Sequence, residues 1–145
     1  MAHPFFKLIA LDTIAKKQDI LVIEVGSWKG LSTTVMADHM KDSGIRGRII
    51  AIDTWLGSPE HLTWGSSDLG KRELGFPQLY KQFLGNVQQK KLEDYIYPLP
   101  ISSTQGAHFL EQSGIRADIM MLVTNTSRSN WTSNFFGSCS LKGVS

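Results

Sequence analysis

At 145 residues, 41% hydrophobic and 19% charged, the chain has the length and composition of one globular domain and is too apolar to be a disordered polypeptide. Its net charge of +2, with acids and bases interspersed, excludes the dense Lys/Arg stripe of a nucleic-acid surface, and its single cysteine, Cys139, excludes an internal disulfide or a cysteine metal cluster. No apolar run reaches the ~18 residues of a membrane span, and the N-terminus lacks the charged and apolar regions of a signal peptide, so a cytoplasmic home is expected.

Residues 1–19 form a lead. Within 4–17, Phe5, Leu8, Ile9 and Ile14 fall near one face of a helix. ILVIEV, residues 20–25, is a near-continuous β-branched run, the mark of a parallel strand buried on both faces. Gly26-Ser27-Trp28-Lys29-Gly30 breaks it. LSTTVMADHMKDSG then has helical spacing, with Leu31, Val35 and His39 on adjacent turns and Gly44 as the stop. RIIAID, residues 48–53, is a second buried strand.

From Thr54 to Phe76 the chain loses its period, and long loops in compact domains are usually functional. Residues 77–94 resume a helical pattern through Leu79, Phe83 and Val87. YIYPLPIS is a third strand shortened by its prolines, TQGAHFLEQSG a third helix ending at Gly114, and ADIMMLV the start of a fourth strand. Strands alternating with helices predict an α/β fold, an open Rossmann-like parallel sheet, here of about four strands. Ligands of such sheets bind beyond the carboxyl ends of the strands.

Two features stand at those ends. In Glu24-x-Gly26-x-x-x-Gly30, a glycine directly after a buried strand permits a sharp turn and close approach of a ligand to the backbone. The free N–H groups of the next helix point into the same space. The bland alternative is an ordinary strand-to-helix turn. Asp53 closes the second strand about two dozen residues later, where an acid accepts hydrogen bonds from ribose hydroxyls; its bland alternative is a helix cap or a solvated strand end. Together the two favour a nucleoside-type ligand. The dinucleotide fingerprint G-x-G-x-x-G is missing, because Trp28 stands two residues after Gly26 and its indole would obstruct a pyrophosphate. A nucleoside without a phosphate to cradle, such as S-adenosylmethionine, suits a single loose turn.

VIEVGSWKGLST and GRIIAIDTWLGSPEH, extended by PQLYKQFLGNV and YPLPISSTQGAHFLEQSGIRADIM, resemble a bacterial class I S-adenosylmethionine-dependent methyltransferase family. It is akin to the cephalosporin-hydroxylase-like and macrocin O-methyltransferase groups, and its members are often met near glycosyltransferases and in antibiotic clusters. The likeness covers roughly residues 20–120. It implies that Glu24, Gly26, Ser27, Trp28 and Gly30 line the methionine and ribose end of the cofactor. It also implies that Asp53 holds the ribose, that Trp55 lies near the adenine and that Ser103 faces the adenine from the other side. His61 and the Trp64 region would belong to the substrate loop. Trp55 and Trp64 have a plainer reading as pins of a long loop onto the core, and His61 as a solvated loop residue.

In this family the fourth strand leads into an Asp-x-x-His-x-Tyr signature, a helix and a Gly-Gly turn. Here MMLVTNTSRSNWTSNFFGSCSLKGVS follows, rich in Ser, Asn and Thr and without a helical period. Sliding the codon window back one base changes that. Met120 into Met121 forces Asp, Asn130 into Trp131 forces Leu, and Trp131 into Thr132 forces Asp. A compatible translation, DASHEYESVKLDLKLFWELL, has the signature and an amphipathic helix. The chain is therefore expected to be truncated by a frameshift near Met120 to Leu122, a net loss of one base or gain of two. Residues 20–122 would then be a partial S-adenosylmethionine-binding domain and 123–145 an out-of-frame tail.

The reading is a methyltransferase acting on an oxygen or nitrogen of a small molecule, a sugar or a secondary metabolite, inactive as this chain and without a catalytic residue of its own. A divalent metal would belong to the intact family, with its Asp and His ligands absent here; Cys139 has no partner that would make it a nucleophile. Neither nucleic acid nor membrane is an expected partner, whereas self-association through an exposed sheet edge is. The alternatives are a cofactor-binding module without catalysis and a fragment of a nicotinamide-dependent oxidoreductase.

Overall fold

The computed structural model describes residues 19–58, 69 and 72–123. The expected lead helix, His61, Trp64 and the tail after Val123 lie outside them. Strand β1 (Ile20–Val25), helix α1 (Leu31–Asp42), strand β2 (Gly47–Ile52), the short strands β3 (Arg72–Glu73) and β4 (Phe76–Pro77), helix α2 (Leu79–Gln89), strand β5 (Ile96–Leu99), helix α3 (Ser103–Ser113) and strand β6 (Ile119–Leu122) follow in order. The expected α/β alternation is present.

β1, β2, β5 and β6 form one sheet, all parallel, in the order β5-β2-β1-β6. The chain builds outward from β1 through β2 to β5, then crosses back to lay β6 on the other side of β1. The order thus reverses between β1 and β6, where open α/β sheets take their ligands. Pro98 stands within β5, tolerated there because β5 is an edge strand of this sheet.

Helices pack on both faces of the sheet. Ile20 and Val22 of β1 and Ile49 and Ala51 of β2 pack with Met36, Ala37 and Met40 of α1 and Leu79, Phe83 and Val87 of α2. On the other face Ile23 and Ile52 meet Leu110 of α3, and Gly106 lets α3 come so close that a Cβ there would lie 2.9 Å from the Ile52 side chain. Met120 and Leu122, in register with Ile23 and Val25, are 68% and 66% exposed. Among the described residues, none covers β6 on the α3 face.

Three expectations change. α1 buries Thr33, Met36, Ala37 and Met40, spaced i, i+3, i+4, i+7, while Leu31 is exposed and Val35 and His39 are only half-buried. The buried threonines are satisfied polar groups, as described below, and leave no trace in hydropathy. The loop from Thr54 to Phe76 ends in a hairpin, β3 against β4, turned by Leu74 (φ 50) and Gly75 (φ 85). Positive φ at both central residues belongs to a tight two-residue turn that matches strand twist. Finally, α2 begins at Leu79 and ends at Gln89, short of the 77–94 expected.

No described helix is long and apolar enough to cross a membrane.

Candidate functional site

The carboxyl ends of β1 and β2 meet beside β6. Gly26 N–H donates to the Ile52 carbonyl at 2.9 Å, and Val123 N–H donates to the Val25 carbonyl at 2.8 Å, so the turn after β1 is fastened to both neighbours. Gly26 has φ +85, and a Cβ on it would stand 2.4 Å from the Val123 carbonyl oxygen. Gly30, φ +82, begins α1, and a Cβ there would stand 2.8 Å from the Phe83 ring. Both glycines are thus required for space as well as for backbone angle.

Asp53 is joined to this turn. Its Oδ2 accepts the Trp28 N–H at 2.9 Å and its Oδ1 accepts the Trp55 N–H at 2.8 Å. The Trp55 indole N–H returns to the Trp28 carbonyl at 2.7 Å. The result is a closed ring of three hydrogen bonds between the two strand ends. It holds Trp28 and Trp55, each at φ 52, in the left-handed region that side chains other than glycine rarely adopt. Each Asp53 oxygen retains a lone pair, since an ionised carboxylate offers about four acceptor positions.

Ser27 lies between the glycines, 3% exposed, and its Oγ has no hydrogen-bond partner among the described residues. A buried hydroxyl without a partner costs on the order of 1–3 kcal/mol. A ligand group supplying that hydrogen bond is the plainest way to recover it.

Glu24 is wholly buried, and its two oxygens accept the hydroxyls of Ser32 and Thr33. It ties β1 to the first turn of α1 and so sets where that helix starts beneath the turn. Glu24→Ala would leave both hydroxyls without their acceptor and open a cavity, at a cost of about 2–3 kcal/mol. Urea unfolding should show this as a lower midpoint with an unchanged slope, and an unshifted midpoint would refute the tie.

Two further expected site residues differ in exposure. Trp55 is 2% exposed and packs on Tyr80 and Phe83, ring centroids 4.7 and 4.8 Å away. Its ring belongs to the core and pins the loop after β2. Ser103 is exposed at the first position of α3. The cap is Ser102, whose hydroxyl accepts the Gln105 N–H at 3.2 Å while Gln105 Oε1 accepts the Ser102 N–H at 3.1 Å. Sequence reasoning missed Asn86, whose side-chain amide donates to the Lys29 carbonyl at 2.8 Å. Nothing local to QFLGNVQQ signals that contact. Among the described residues no group of three or more His, Cys, Asp or Glu comes together to hold a metal.

Residues 23–131 match a family described as a methyltransferase domain. Among solved structures, the chain is similar to the crystal structure of a SAM-dependent methyltransferase from Agrobacterium tumefaciens, with a TM-score of 0.56 and 14% identity. The likeness covers 83% of this chain and 29% of that one, and at such identity it is a likeness of fold. No curated protein matches the chain.

Proposed function

This chain belongs to the methyltransferase-domain family that its residues 23–131 match, and from that premise we propose that its strand-end site binds S-adenosylmethionine for methyl transfer to an oxygen or nitrogen of a small molecule such as a sugar or secondary metabolite. The observation that carries the reading is the joining of Asp53 to the Gly26–Gly30 turn through the Trp28 N–H, beside the Ser27 hydroxyl, which has no partner among the described residues. In this reading Asp53 accepts the ribose hydroxyls through its remaining lone pairs. Ser27 Oγ and the backbone around Gly26 serve the methionine end, and Trp28 and Gly30 shape the turn. Glu24 acts from beneath, through Ser32 and Thr33. Bound there, the cofactor would supply an electrophilic methyl group, transferred in line to the acceptor's lone pair.

The domain proposed to bind the cofactor is residues 20–122, with 1–19 as a lead and His61 in the loop that meets the acceptor. An acceptor hydroxyl must lose its proton, to a side chain or to a metal-bound base. Residues 123–145 contain no Asp, Glu or His, so that stretch lacks the usual groups. Because the Asp and His that the family resemblance implies after the fourth strand are missing from that stretch, we read the 145-residue chain as binding cofactor without turning it over, and residues 123–145 as out of frame. The family match itself runs past Leu122 to Trp131. The nucleotide sequence of codons 115–125, read in all three frames, tests the frame directly: an uninterrupted frame with no near-cognate alternative would end that part of the reading.

Titrating the chain with S-adenosylhomocysteine and with NAD is the test of ligand class. Saturable binding of the former in the micromolar range, about −8 kcal/mol, with none of the latter, is the expected result. A preference for NAD would favour the oxidoreductase reading instead. A methyl-transfer assay beside that titration separates an enzyme from a binding module.

A further inference from the structure

The Gly26–Gly30 turn is also held through its carbonyls, by contacts that the cofactor reading leaves unused. The Trp28 carbonyl accepts the Trp55 indole N–H, and the Lys29 carbonyl accepts the Asn86 amide. The Ser27 carbonyl is taken by the Gly30 N–H at 2.8 Å. Three successive carbonyls of the turn are therefore engaged within the protein. A trans peptide sets its C=O and the following N–H on opposite sides. Anchoring the Trp28 carbonyl thus fixes the direction of the Lys29 N–H, a donor that meets no partner among the described residues. The Ser27 hydroxyl is likewise without a partner there. The same contacts hold Trp28 in its left-handed conformation, which its own side chain disfavours.

We infer that Trp55 and Asn86 are positioning residues: they anchor the carbonyls of the turn so that its unpaired donors are pre-set for the cofactor. The inference rests on the S-adenosylmethionine reading above and adds to it a control of affinity by α2. Phe83 supports the Trp55 ring and also fills the space above Gly30, and Asn86 lies one helical turn further along, so a single helix braces the turn at two points. Preorganisation of this kind raises affinity by removing the ordering cost from the binding step.

The test compares dissociation constants for S-adenosylhomocysteine, measured calorimetrically on the full 145-residue chain at a temperature where every variant is folded. Trp55→Phe keeps an aromatic ring against Tyr80 and Phe83 but removes the indole donor. Asn86→Ala removes an exposed side chain and carries the test if the tryptophan variant does not fold. Val87→Ala, in the core side of the same helix and away from the turn, is the stability control. Each of the first two should weaken binding by roughly five- to tenfold, the scale of one hydrogen bond. Val87→Ala should lower the melting temperature with affinity within about twofold of the parent, well under the loss of one hydrogen bond. Parent-like affinity in Trp55→Phe and Asn86→Ala, or an equal loss in Val87→Ala, overturns the positioning role while leaving the cofactor reading intact. Absence of binding by the parent chain removes that reading and this inference with it.

Discussion

Gly26→Ala is expected to lower the melting temperature by roughly 10 °C and to weaken S-adenosylhomocysteine binding by more than about tenfold, effects in line with about 3 kcal/mol for a domain of this size. Two costs combine. At φ +85 an alanine suffers the left-handed penalty of roughly 1–2 kcal/mol. Its Cβ would also stand 2.4 Å from the Val123 carbonyl oxygen, a backbone atom. Relieving that overlap moves either the turn or the chain after β6. One movement strains the Gly26 N–H bond to Ile52, the other the Val123 N–H bond to Val25, each worth about 1 kcal/mol. Gly44→Ala is the control. Gly44 also has positive φ, +64, but nothing lies within 4 Å of a Cβ there, so only the backbone penalty applies. Equal melting temperatures for the two variants would show that the approach of Val123 to the turn is not a constraint in solution.

The parts of this architecture legible in the sequence are those where one residue type answers to one local demand. ILVIEV and RIIAID read as parallel strands because burial on both faces removes alternation. Gly26 and Asp53 could be paired because neighbouring parallel strands bring their carboxyl ends together, and the Trp28 N–H to Asp53 bond is the outcome. The unread parts depend on partners distant in the chain. Trp55 follows a strand just as a cleft aromatic would, and only the positions of Tyr80 and Phe83 on α2 assign its ring to the core. Thr33 and Thr34 look like solvent-facing residues. Their burial follows from Glu24 and from the Leu31 carbonyl, which satisfy their hydroxyls. The β3–β4 hairpin escaped notice because two-residue strands have no period and Leu74 occupies a turn position that normally advertises itself with Asn, Asp or Gly.

Asp53→Ala should weaken S-adenosylhomocysteine binding by about a hundredfold, near 2.7 kcal/mol, and should also lower stability without ligand. The first effect follows from the proposed function. Two ribose hydroxyls would donate to the carboxylate, and hydrogen bonds to a charged group contribute roughly 1.5–3 kcal/mol net. The second follows from geometry alone. With the carboxylate gone, the Trp28 and Trp55 N–H groups lose their acceptors at 2.9 and 2.8 Å, and two residues at φ 52 lose the contacts that hold them there. Asp53→Asn separates the effects further. Its one carbonyl oxygen can serve one of the two backbone donors, while its NH2 group must face the other, donor against donor. A loss of about tenfold in affinity, about 1.4 kcal/mol, and an intermediate stability are therefore expected. Unfolding curves without ligand, set beside calorimetric titrations, assign each role separately. Weakened binding with an unaltered unfolding curve would leave Asp53 a ribose ligand and discard the clamp. A shifted unfolding curve with parent-like affinity would keep the clamp and remove Asp53 from the cofactor.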